Sequence, residues 1–178
     1  MNPILAAGVL IGVFCGLWTF VMGFTGWYKD PVMMQAFWVV VLIELFGLIW
    51  GLRQTAREGR AWASQVLAGT MMSVIAGIVV AGSSLVFTML LFPEYFSEIE
   101  RMAREVMQRQ GKPEAEIASA IEASRSMATP MTQAMAGFTA TLMTGIVASA
   151  AIALVIRARP GAGGRRPFTV EDRQPRAL

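Results

Sequence analysis

Apolar residues fill four long windows of this chain, and polar residues are swept into the gaps between them. The windows run over about 4–24, 33–52, 62–92 and 130–156. Each reaches the ~20 residues that, at a rise of ~1.5 Å, cross a hydrocarbon layer of ~30 Å. Backbone amides find no water there, so each window is predicted to be a helix that satisfies its own hydrogen bonds. The third exceeds a bilayer's thickness and is expected to tilt or to project beyond the membrane surface. Met1-Asn2-Pro3 has no basic side chain, and Phe24-Thr25-Gly26-Trp27 offers no small-residue cleavage site. The first window therefore reads as a retained span, not a signal peptide.

The connection 93–129 has a different rhythm. Phe96, Ile99, Met102, Ala103, Val106 and Met107 recur at three-to-four spacing, and Ile117, Ala120, Ile121, Ser124 and Ala128 repeat the pattern more weakly. Pro93 and Pro113 stand where helices start, and Gly111 where one stops. This predicts an extramembrane hairpin of two amphipathic helices, with Thr129-Pro130 as cap and first residue of the fourth span. The fold class is thus all-α: a four-helix integral membrane bundle over 1–159, its hairpin between spans three and four. A basic tail of linker composition follows over 160–178.

Composition sharpens the picture. Of 178 residues, 55% are hydrophobic and 15% charged, against ~45–50% and ~25% in soluble domains. Every charged side chain but Glu44 lies outside the four windows. That segregation excludes an ordinary soluble enzyme, a disordered chain and a nucleic-acid-binding domain. With no histidine and one cysteine, Cys15, histidine-ligated haem, most zinc sites and an internal disulfide are excluded as well. No nucleophile–base pair, phosphate-cradling glycine loop or metal-ligand cluster is visible, so neither an enzyme nor a cofactor is expected.

Charge also sets orientation. Arg53, Arg57 and Arg60 crowd the second connection, and Arg157, Arg159, Arg165, Arg166, Arg173 and Arg176 the tail. Short arginine-rich segments stay in the cytoplasm, which predicts both termini inside and the hairpin outside an inner membrane. Trp27, Tyr28, Tyr95 and Phe96 then mark the outer interface, Trp50 and Trp62 the inner one. Arg53, Arg57, Arg60, Arg157 and Arg159 are candidate contacts for anionic lipid, although topology alone explains them equally well.

Glu44 is the one expensive residue, since a charge at mid-span costs several kcal/mol or more. It is expected to face the protein, with Gly47 and Gly51 on its helix face. Counting helix rises places it ~12 Å deep, level with Gly12, with 70–73 of span three and with Ser149. Thr70, Ser73 and Ser149 are the candidate partners of its carboxyl. It is either a cation or proton site, or a neutral acid hydrogen-bonded between helices. Small residues recur every four positions at Gly8, Gly12 and Gly16, at Gly69, Ser73, Gly77 and Ala81, and at Gly137, Thr141, Gly145 and Ser149. Such lines let helices approach closely, within one chain or between two copies. The methionines, including Met33-Met34, Met71-Met72, Met131 and Met135, read as core filler before they read as an adaptable pocket.

The order of features resembles a family of bacterial four-span membrane proteins grouped as domain of unknown function four-one-nine-nine. The resemblance rests on Gly51-Leu52-Arg53, on Phe92-Pro93-Glu94-Tyr95-Phe96, on 111–117 and on Ile156-Arg157-Ala158-Arg159, and covers about 4–159. It implies an inner-membrane protein and supplies no activity or site residues. Two functions are expected to compete. One is a non-enzymatic binding or structural protein whose hairpin meets a second copy or an envelope protein. The other is a small transporter or channel subunit organised around Glu44.

Overall fold

The computed structural model describes residues 2–30, 32–56 and 61–157, within which every regular element is helical. Helix α1 spans Pro3–Thr25, α2 Val39–Ala56, α3 Trp62–Val86, α4 Tyr95–Arg109, α5 Glu114–Arg125 and α6 Pro130–Arg157. Four segments, Pro3–Thr25, Met33–Ala56, Trp62–Leu91 and Pro130–Ile156, are long and apolar enough to cross a membrane. Arg57, Arg60, Arg159 and the tail 160–178 lie outside the described residues.

Local chemistry explains most boundaries. Asn2 caps α1 through its side-chain oxygen, which accepts the Ile4 amide at 3.0 Å, and Pro3 follows at the first helical position. Thr129 does the same for α6, accepting from the Thr132 amide at 3.1 Å. Gly26 ends α1 and Gly111 turns the hairpin, both at φ near +70°, where a side chain would be strained. Two spans depart from plain α-helix. Span two opens as a 3₁₀ stretch, Met33–Trp38, and runs four residues past the expected end, to Ala56. Asp30 binds the Val32 and Met33 amides at that opening, while the Trp18 indole donates to the Ala36 carbonyl at 2.9 Å. Span three finishes in a π-helical turn, Phe87–Leu91, closed by the Phe92 amide on the Phe87 carbonyl.

The four spans form a square in the order α1, α2, α6, α3, with α3 packed most closely on its neighbours. Its long faces meet α1 in parallel and α6 in antiparallel fashion. Gly8, Gly12 and Gly16 lie against Ile75, Val79 and Ser83, and Gly77 lies against Phe138. Gly47 meets Ile11, and Gly51 meets Ala7 and Met72, which draws α2 onto α1. The glycine lines thus serve packing within one chain. At Gly12 an added Cβ would stand 2.6 Å from the Cβ of Val79 and 2.9 Å from the Ala76 carbonyl oxygen.

The buried cluster comprises Ala7, Ile11, Cys15, Leu48, Leu52, Ala68, Met72, Ala76 and Ala148. Of the six methionines singled out above, Met72 alone is fully buried. Met33, Met34, Met71, Met131 and Met135 face outward, which corrects their reading as core filler.

Candidate functional site

The structure offers two places where polar chemistry meets apolar packing. The first surrounds Glu44, which is 4% exposed in the second turn of α2, midway along the span Met33–Ala56. Its Oε1 accepts from the Ser73 hydroxyl of α3 at 3.5 Å, a long and weak bond. Gly145 of α6 closes the other side, because a Cβ there would collide with Ser73 and stand 3.0 Å from Glu44 Oε1. The carboxyl is therefore wedged among three helices at the point where α3 and α6 interlock through small residues.

Thr70 and Ser149, expected beside that carboxyl, are placed elsewhere. The Thr70 hydroxyl donates to the Val66 carbonyl of its own helix at 3.0 Å, the usual local alternative for a helical threonine. Ser149 packs onto Gly69, one turn from Ser73, and its hydroxyl has no partner among the described residues. Ser149 lies one turn beyond Gly145 on the same face of α6, and Thr70 three residues before Ser73, so both sit about a turn away from the level of the carboxyl. Counting rises from residue 52 misses the level by about one turn, because α2 continues to Ala56. Of the candidate lipid-contacting arginines, Arg53 is exposed in the last turn of α2, and Arg157 ends α6.

A buried polar pair at the opposite end of α2 escaped the sequence reading. Thr55 is fully buried and donates to Gln65 Oε1 at 2.7 Å, joining the ends of α2 and α3. The signal available was a threonine and a glutamine flanking one short connection.

The second place is the junction between bundle and hairpin. Tyr28 and Lys29, in the 3₁₀ turn Trp27–Lys29 between spans one and two, both donate to the Glu98 carboxylate of α4. Lys29 reaches it at 2.6 Å, and its ammonium also lies over the Tyr28 ring at 5.3 Å. The lysine and then the tyrosine hold the Glu98 carboxyl below its ordinary range, and Glu98 in turn raises Lys29. Burial, reinforced by Glu98, raises the Tyr28 phenol. Around this clasp Phe20, Phe24, Tyr28, Phe87, Phe92 and Tyr95 pack ring against ring, with Phe87 and Phe92 only 4.6 Å apart.

The clasp was missed because its three polar members come from segments about 70 residues apart, and Glu98 reads in sequence as one acid on a solvated helix. Within the hairpin, Arg104 pairs with Glu114, and Arg125 with Glu100 at 2.7 Å, around the buried Ile117 and Ile121. Arg125 holds the Glu100 carboxyl below its ordinary range. Beside the clasp, a groove of about 500 Å³ opens between Met34 and the apolar face of α4. Among the described residues no three carboxylate or thiol side chains converge to hold a metal.

Four apolar spans sealed by small-residue contacts, with a clasped helical hairpin at one end, define a multi-pass membrane protein. The chain belongs to the family described as protein of unknown function DUF4199, whose profile matches residues 7–158. No match was found among curated proteins or among solved structures.

Proposed function

We propose that this protein is a non-enzymatic, membrane-embedded binding protein that uses its hairpin as a docking surface. One observation carries the reading: the hairpin is anchored to the bundle through Glu98, yet the apolar face of α4 is left open. A solvated connection has no need of such an anchor, whereas a binding surface gains from a fixed orientation. The arginine bias supports an inner-membrane location with both termini cytoplasmic and the hairpin on the far side.

The competing reading is an ion pathway through Glu44. The close approach of Gly145 and Ser73 weighs against it, because a conducting acid needs space beside it.

Complementation of a chromosomal deletion separates the two readings. Replacing 94–127 by a short Gly/Ser linker is expected to abolish the native phenotype while the chain stays in the membrane after alkaline extraction. Glu44→Gln is expected to retain the phenotype. The reverse pattern would transfer the function to Glu44. Ser119→Cys in a Cys15→Ala background, probed with an impermeant maleimide in intact cells, checks the side of the hairpin.

A further inference from the structure

Ile99, Met102 and Val106 line one face of α4, flanked by Ala103 and Met107, and Met34 from the opening of span two forms the facing wall. Two observations fix where this groove lies. Span three ends at Leu91, with Leu90 73% exposed, and α4 begins only four residues later, at Tyr95. Glu98, in the first turn of α4, is then tied to Tyr28 and Lys29 in the turn joining spans one and two. The first turn of α4 is therefore held at the level of the span ends, and Met34, at the opening of span two, lines one groove with Ile99, Met102 and Val106. Amphipathic helices in that plane sink their apolar face ~5–10 Å into the boundary between head groups and acyl chains.

The groove also continues an apolar surface. Next to Met34, the side chains of Val32, Met33, Phe37 and Trp38 are exposed, Trp38 at 67%, as befits a span facing lipid. The lining favours a flexible aliphatic occupant over a protein. Protein hot spots centre on Trp, Tyr and Arg, and none of these lines the groove. Thioether side chains such as Met34, Met102 and Met107 adapt to irregular apolar shapes. At one end the groove meets Gln110 and Lys112, both hydrogen-bond donors, the lysine paired with Glu116.

We propose that this groove is a phospholipid site. An acyl chain from the leaflet on the hairpin side lies between Met34 and α4, and the lipid phosphate is met by Lys112 and Gln110. The inference rests on the reading of the hairpin as a binding surface and names its occupant.

The test uses the full chain in nanodiscs of phosphatidylethanolamine and phosphatidylglycerol doped with a phospholipid bearing a mid-chain diazirine. After illumination, peptide mapping is expected to place adducts on 99–107 as well as on the spans. The double variant Met102→Glu, Val106→Glu is expected to lower the α4 adducts several-fold while labelling of the spans, an internal control for folding, stays constant. Labelled spans with an unlabelled α4 would overturn the proposal. So would a Val106→Cys variant that cross-links α4 to α4, because a second copy would then occupy the groove. An unlabelled α4 together with loss of phenotype on hairpin deletion removes the lipid and leaves docking. A labelled α4 with the phenotype intact after deletion does the opposite.

Discussion

Gly12 lies so close to α3 that an added Cβ would stand 2.6 Å from that of Val79, whereas α4 and α5 face each other across two isoleucines and exposed ion pairs. In the spans, lipid is as apolar as the side chains, so burial gives no net drive and helices are held by steric fit between small residues. In the hairpin, water restores that drive, but the core is thin and charge pairing sets the register. The clasp at Glu98 is where the two regimes meet, a charged bond laid over an aromatic cluster. The difference teaches that the spans are intolerant of added volume, and that the hairpin is sensitive to the few contacts that tether it.

The largest expected effect tests the steric half of that contrast. Gly12→Ile is expected to cost more than the ~1–3 kcal/mol of ordinary overpacking, because both Val79 and the Ala76 carbonyl stand in the way. Detergent-solubilised protein should melt far earlier or fail to assemble, and an unchanged melting curve would place the seam on the lipid side. Phe87→Ala comes next. Phe87 is 4% exposed at the centre of the aromatic cluster, and its truncation is expected to cost about 3–5 kcal/mol. The same melting assay reads it.

Tyr28→Phe tests the clasp with the ring packing kept. It is expected to raise hydrogen exchange in α4 and α5 while leaving exchange in α1 and α3 unchanged; equal changes everywhere would show that the hairpin is not a separate unit.

Acid should have a similar and smaller effect. The folded-state carboxyls of Glu98 and Glu100 titrate below their ordinary value of 4.5. Their stabilisation is present above that value and is lost as pH falls through the lowered one. Exchange in the hairpin, divided by each amide's intrinsic rate at the same pH, is therefore expected to be flat from neutral pH down to about 4.5 and to rise only below it. A rise near neutrality would assign control to another group.

Ser149→Ala should change least. Its hydroxyl lacks a partner among the described residues, so removing it is expected to leave the melting temperature unchanged or slightly raised. A clear loss would mean that the hydroxyl is bonded.

Much of this was legible in the pattern of residues. The spans, the hairpin, the Gly111 turn, the cap at Thr129 and the inward direction of Glu44 follow from periodicity and from local backbone chemistry. The outward methionines were misread because a lipid-facing apolar side chain and a core one look identical in sequence. Thr70 and Ser149 were placed about a turn from the right height, since hydropathy does not mark where a span's helix ends and α2 continues to Ala56.

What the sequence determined by itself is the solvent of each segment: oil for four stretches, water for the hairpin. Hydropathy and helical period are local properties, and the cost of a charge in hydrocarbon enforces them one span at a time. Only the tertiary structure decided which spans are neighbours, that Ser73 and Gly145 enclose Glu44, and that Glu98 reaches Tyr28 and Lys29. These depend on the order of helices in the square and on their rotation, which many distant contacts settle together and no single segment encodes.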